Sequence, residues 1–418
     1  LPVPAVVTPM RDHQRYYPVR KEDGSLMPYF LTVRNGGTKA LENVQHGNEK
    51  VLRARLDDAK FFFENDRKKT LEGHRDDLTR INYQEGLGDM RDKADRLQKL
   101  TAFIGKDWNF SDEEMKDADR AAFLSKSDLA TGMVTEFTEL QGEMGKEYAL
   151  LDGEKPEVAQ AIFEQYMPRF SGDILPKESI GRALSLADKL DNLSATFLRG
   201  LIPTGSQDPF ALRRQTIGAV NILTDGKIHW DIRRGIAKAL ELLPGEQEVK
   251  DKVLSQVEDF FRQRIRAILL DNGIAYDIID AVLAGPVDDI YAIFLKAQAM
   301  TESHLKEEAD LRQAVTRLAN ITKGKTGGKV DPALFEEDAE KNLEAALAKA
   351  MAAVEPLYRE YRYADALPYL KELTAPINDY LDNVMVMVKD EAVKNNRISQ
   401  LLKTLSFFDA WGDFSKLV

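Results

Sequence analysis

Cysteine is absent from all 418 residues. That excludes disulfides, thiolate-ligated zinc and a thiol nucleophile, and it fits a reducing, cytoplasmic compartment. Long apolar runs are missing too: none reaches the roughly 18 residues of a membrane-spanning helix, so no membrane partner is expected. The start, LPVPAVVTPMRDHQRYYPV, lacks a basic segment followed by an apolar one, which predicts no signal peptide. Leu1 in place of Met reads as the start of a fragment. Nor is there a basic excess: 58 Lys and Arg stand against 69 Asp and Glu, a net charge of −11. A chain of this sign is no general coater of nucleic acid, and DNA is not expected. An RNA site would need a local cluster of cations.

What the chain does have is helical periodicity. The start is the exception: HQRYYPV and YFLTVRNG flank the turn-rich RKEDGSLMP, which predicts a small β-hairpin. Next, GNEKVLRARLDDAKFFFENDRKKTLE reads as a helix with Asn48 as N-cap and Val51, Leu52, Arg55, Leu56, Ala59 and Phe63 along one side. DRAAFLSKSDLATGMVTEF, KPEVAQAIFEQYM, ESIGRALSLADKLDNLSATFL and DPFALRRQTIGAVNIL carry helical spacing, separated by Gly/Pro loops. Near the end, Asp331-Pro332 reads as a cap followed by a first-turn proline, leading into a stripe of Leu343, Leu347, Ala350, Val354 and Leu357. LPYLKELTAPINDYLDNVMV and NNRISQLLKTLSFF complete a bundle. The expected fold is mainly α and multidomain. Its parts are a hairpin–helix segment at 1–75, a helical domain at 76–230, a helical body at 231–306 and a helical bundle at 307–418.

Three motifs suggest chemistry. IGRALSLADKLDNL places Asp188 and Asp191 on one apolar helix, as in the last metal-binding element of an HD-type phosphohydrolase. Such a site also needs an adjacent His-Asp pair and further histidines. Here Ser125-Lys126 stands where that pair belongs, and a lysine repels a cation. Glu164, Gln165 and Tyr166 stand where a His-His-Glu cluster belongs. The histidines at 13, 46, 74, 229 and 304 lie elsewhere. The two aspartates are therefore read as structural, the scaffold as a degenerate HD-like domain, and no metal is expected. Arg213 and Arg214 are read as internal partners of Asp188, Asp191 or Asp208, because a buried carboxylate needs a counter-charge. KGKTGGK resembles part of a phosphate-binding loop, but Ala319 takes the first glycine position and no strand precedes it. It reads as a flexible basic loop. No constellation of catalytic residues is found.

LSKSDLATGMVTEFTELQGEMGKEYALLDGE, EQYMPRFSGDILP, LADKLDNL and PTGSQDPFALRR together resemble the β subunit of bacterial, heterotetrameric glycyl-tRNA synthetase. VVTPMRDHQRYYPV and FLTVRNG near the start match that family as well. So do DNVMVMVKDEAVKNNRISQLL and DFSKL near the end. The likeness runs in order over nearly the whole chain, and the family's β chains are longer, which implies a C-terminal portion. The resemblance implies an α2β2 partner whose α subunit uses ATP and Mg to activate glycine, leaving this chain non-catalytic and without a cofactor. It also implies that tRNA(Gly) is the RNA partner and that the last ~100 residues form an anticodon-binding helical domain. RNA contact takes cations for phosphates and amide or planar groups for bases. The candidates are Arg317, Asn320, Lys323, Lys325, Lys329, Lys394, Asn396 and Arg397, each also readable as ordinary solvated surface. Two readings compete with this one: a metal-dependent HD-type phosphohydrolase, and a helical scaffold that binds only protein.

Overall fold

The computed structural model describes residues 1–305 and 308–417, and they are mainly helical with one β-hairpin. Strands β1 (Tyr17–Arg20) and β2 (Leu26–Leu31) pair antiparallel with Tyr17 opposite Leu31. Gly24, at φ +84°, makes the turn that Asp23 stabilises by accepting from Ser25. The strand begins at Leu26, so LMP belongs to β2 and not to the turn.

Numbering helices of seven residues or more, the first ten are α1 (Leu41–Asp66), α2 (Met90–Asp107), α3 (Asp112–Leu124), α4 (Glu143–Leu151), α5 (Pro156–Glu164), α6 (Ser179–Leu198), α7 (Leu212–Asp225), α8 (Ile232–Glu241), α9 (Gln247–Asp271) and α10 (Tyr276–Val282). They are followed by α11 (Ile290–Glu302), α12 (Ala309–Thr322), α13 (Asp338–Arg359), α14 (Tyr363–Glu372), α15 (Thr374–Asn383) and α16 (Glu391–Asp409). The described chain forms two compact units, where four segments were expected. One is Leu1–Ile222 with Arg233–Val257; the other is Leu223–Ile232 with Glu258–Val418. The expected boundary between 306 and 307 lies outside the described residues. Among the described residues, no helix is long and apolar enough to cross a membrane.

In the first unit, α2 packs on α3 and α6, and α5 packs on α3, α4 and α6. Reciprocal caps start two of these helices: Asp89 with Asp92 at α2, and Ser111 with Glu114 at α3. Each satisfies amide groups that have no partner inside the helix. Of the twenty residues of α6, sixteen are buried, so it is the central helix of this unit. In the second unit, α13 packs on α14, α15 and α16, and α12 packs on α15 and α16.

Several local expectations change. Helix α1 starts well before Asn48, so Asn48 is no cap; its side chain accepts from the Tyr16 hydroxyl at 3.2 Å. Val51 is exposed, while Leu52 and Ala59 are buried. The segment DRAAFLSKSDLATGMVTEF is not one helix: α3 stops at Leu124, and Lys126 adopts a left-handed conformation at φ +65°. Asp331 caps a separate 3-10 turn at Pro332–Leu334, and α13 starts later with a Glu337–Glu340 capping box. The stripe on α13 holds for Leu343, Leu347, Ala350 and Val354, which are buried, while Leu357 at its end is half-buried. LPYLKELTAPINDYLDNVMV breaks at Leu373 into α14 and α15.

Candidate functional site

Two polar constellations stand out, one in each unit. In the first unit, Lys93 and Arg96 lie three apart on α2, and Asp188 and Asp191 lie three apart on α6, so each pair shares a helix face. Asp191 accepts from Arg96 Nε at 2.7 Å and from Lys93 Nζ at 2.8 Å. Asp188 is flanked by Lys93 Nζ at 3.0 Å and Lys126 Nζ at 2.9 Å. The break after α3 is what turns Lys126 inward, and its ammonium sits 4.0 Å from the centre of the Tyr166 ring. The Tyr166 hydroxyl donates to Asp128 at 2.9 Å. All of these charged side chains are buried.

The electrostatics follow from that burial. Removal from water pushes the carboxyl of Asp188 up, but Lys126 and Lys93 outweigh this and hold it well below the usual carboxylate range. The same opposition, settled by Lys93 and Arg96, holds Asp191 low. Burial also dominates at Lys126 and pushes its ammonium pKa down despite Asp188. Asp188, at the position of the late aspartate of an HD-type site, is thus engaged by two ammonium groups. Arg213 and Arg214 are not its partners. Asp208 accepts from the Leu212 and Arg213 amides, Arg213 donates to the Gly205 carbonyl, and Arg214 donates to the Arg169 carbonyl. The true partners, Lys93 and Arg96, escaped the sequence reading. Their signal was a basic pair at helical spacing in RDKADRLQKL, indistinguishable by pattern from solvated surface. Glu164 and Gln165 are buried, and Glu164 accepts from the Lys177 amide at 3.1 Å.

In the second unit, helix α16 holds two loops. Asn396 accepts from the Asp331 amide at 2.7 Å and donates to the Asp331 carbonyl at 3.0 Å. Ser399 accepts from the Gly328 amide at 2.8 Å. Together they anchor the Lys323–Val330 loop. Arg397 reaches the other loop: it donates to the Met385 carbonyl at 2.9 Å. Its remaining donors go to Glu340, at 3.0 and 3.2 Å, and to Glu336, at 2.9 Å. Glu340 is fully buried and Arg397 only 2% exposed. Burial pushes Glu340 up, but Arg397 outweighs it and lowers its pKa.

The eight RNA-contact candidates therefore fall into three groups. Asn396 and Arg397 lie inside the unit with their polar groups engaged by protein, so the structure gives them an anchoring role. Arg317 pairs with Asp382 at 2.8 Å, and Lys394 pairs with Glu391 one turn back at 2.6 Å. Lys323, Lys329 and Asn320 are exposed, and Lys325 Nζ lies 3.6 Å from Met387 Sδ. That contact brings the lysine loop beside a second exposed feature that the sequence reading missed. Met385 and Met387 are 72% and 59% exposed, two apolar side chains on one loop. The alternation VMVMV was the visible signal, with Val384 and Val386 turned in and the methionines turned out.

Comparison with known proteins bears on both units. The family described as glycyl-tRNA synthetase beta subunit matches residues 1–284, and the DALR anticodon binding domain matches residues 311–409. The chain is 43% identical over 422 residues to the glycine--tRNA ligase beta subunit of Desulforamulus reducens, covering all of this chain and 61% of that relative. It is 44% identical over 408 residues to the protein of that name from Halothermothrix orenii, covering 96% of this chain and 59% of the relative. The Clostridioides difficile protein of the same name is 43% identical over 419 residues, with 100% and 61% covered. The chain thus spans about three-fifths of the length of these relatives. With the first family matching more than half of it, and the anticodon-binding type matching the unit that carries the two anchored loops, the chain belongs to the glycyl-tRNA synthetase β-subunit family.

Proposed function

We propose that this chain is the tRNA-recognising part of a glycine–tRNA ligase β subunit, holding tRNA(Gly) for glycylation at an α partner in an α2β2 assembly. The reading places ATP, Mg and adenylate formation on that partner, and the whole in the cytoplasm. One observation carries it. Within the segment of anticodon-binding type, a loop bearing Lys323, Lys325 and Lys329 lies beside a loop bearing exposed Met385 and Met387. Lysines supply counter-charge for phosphates, and exposed apolar side chains supply a surface for unstacked bases. Arg317, Asn320 and Lys394 flank these loops in the sequence as further contacts. Asn396 and Arg397 act through the loops they anchor.

The test uses the full enzyme with its α subunit. Replacing Lys323, Lys325 and Lys329 together with alanine should raise KM for tRNA and flatten the dependence of tRNA affinity on salt, by about one unit of log–log slope per lysine that contacts phosphate. Glycine-dependent pyrophosphate exchange without tRNA should stay near normal. Unchanged charging, or an equal collapse of exchange and charging, would remove the loop from the interface.

A further inference from the structure

A cleft of about 940 Å3 in the first unit opens over the Asp188 cluster. Six cationic side chains line it: Arg11, Lys93, Lys126, Arg169, Lys189 and Arg214. Three carboxylates, Asp12, Glu139 and Asp188, face them, although the chain as a whole is acidic at −11. At the rim, Arg11 is paired with Asp12 at 2.7 Å and Arg169 with Asp173 at 2.9 Å. Arg214 donates to a backbone carbonyl, so its charge is not cancelled by that bond.

The floor is less balanced. Lys93, Arg96, Lys126 and Lys189 bring four buried positive charges against the carboxylates of Asp188 and Asp191. Asp128 adjoins them, and burial pushes its pKa up as it pushes those of Lys126 and Lys189 down, so four cations face three carboxylates. Lys189 is the clearest case. Its ammonium donates to the Met167 carbonyl and the Ser185 hydroxyl, both at 2.8 Å and both neutral. Burial pushes its pKa down to about 8. Gly218 makes room for it, since a Cβ there would sit 2.8 Å from Lys189 Cε. Asp188, which Lys189 shares with Lys93 and Lys126, and Asp173 act on it only from beyond hydrogen-bond distance. A buried ammonium with no carboxylate bonded to it is costly, and an anion in the cleft would relieve that cost. At the rim, Phe170 is 54% exposed, with the Arg169 guanidinium 5.7 Å from the centre of its ring.

We propose that this cleft binds a nucleoside phosphate, the phosphate held by Lys126, Lys189 and Arg214 and the base against Phe170. The volume is of the size that takes a ligand of this class. The same chemistry is presented by a free nucleotide and by a nucleotide unit of an RNA strand. The proposal stands apart from the anticodon-type loops, which lie in the other unit.

The experiment is calorimetric titration of the whole chain with AMP, with adenosine, and with an RNA trinucleotide bearing 5′- and 3′-hydroxyl ends. AMP should bind, with adenosine at least about tenfold weaker. Lys189→Met and Arg214→Gln should each weaken AMP by about tenfold, the loss of one charged hydrogen bond. Lys349→Ala, exposed in the other unit, should leave AMP binding unchanged. If the trinucleotide binds where AMP does not, and the same two variants weaken it, the site stands and its phosphate is an RNA backbone phosphate. If neither ligand binds, or both bind the variants as they bind the parent chain, the proposal is overturned. Should Lys189→Met lose its circular-dichroism spectrum, Arg214→Gln, at the exposed rim, decides alone.

Discussion

Arg397 shows how much one side chain can hold in place. Its guanidinium bridges α13, through Glu340, and the loop carrying Met385. Replacing it with alanine leaves the Glu340 carboxylate buried without its counter-charge, held only by the Glu336 and Glu337 amides, which should cost about 3–5 kcal/mol in a urea titration. Glu340 has a depressed pKa in the folded state. Its stabilising contribution is therefore present above the unfolded carboxylate range of about 4.3 and is lost as pH falls through the folded value. Arg397→Ala should flatten that acid limb. Asp188 and Asp191, also depressed, add to the same limb in the first unit. Lys189 works in the opposite sense. Its ammonium is lowered from 10.5 to about 8, so the unfolded chain binds more protons between those values and stability should rise with pH across that window. Lys189→Met should remove this rise and gain up to about 3 kcal/mol at pH 7, the equivalent of the shift. A thermal-melt series from pH 7 to 10.5 on both proteins checks the sign. A parent chain that grows less stable through that window, while the variant does not, would contradict it.

Among the elements, the contact of α5 with α6 is the tightest to probe. A Cβ on Gly181 would sit 1.9 Å from Glu164 Oε2 and 2.8 Å from Glu164 Cβ. The first atom can swing away; the second is fixed by the backbone of α5. Gly181→Ala should therefore destabilise the first unit by about 1–3 kcal/mol, read as a lower urea midpoint with an unchanged slope. An unchanged midpoint would mean that the two helices can part at no cost. The elements also show what a sequence can and cannot declare. The α6 helix and the α13 stripe were legible because burial imposes a period on apolar residues. The stop at Lys126 was not, because a non-glycine residue at positive φ leaves no signature of its own. The metal-site comparison singled out Asp188 and Lys126, which the structure places 2.9 Å apart. It missed Lys93 and Arg96, since a buried cation and a solvated one look alike until the facing helix is known. The family motif marked Asn396 and Arg397, and the structure explains their place in it by the backbone groups they anchor.

At the scale of the whole molecule, an acidic chain must confine its contact with RNA to small areas. A net charge of −11 repels polyanions at long range, so unspecific association should be weak and strongly salt-dependent. On the proposed role, filter binding of a tRNA other than tRNA(Gly) should show this between 50 and 200 mM salt, over a range in which tRNA(Gly) is still retained. The exposed Met385 and Met387 carry a chemical consequence. With no thiol in the chain, the thioethers are its softest nucleophiles toward peroxide, and these two are more open than Met351, at 43%, while Met10, Met133, Met144 and Met167 are buried. Mild peroxide should convert positions 385 and 387 to sulfoxide first, turning an apolar surface polar, and a methionine sulfoxide reductase should restore it. On the proposed role of that loop, charging capacity would then follow the oxidation state of two side chains that take no part in any bond being made.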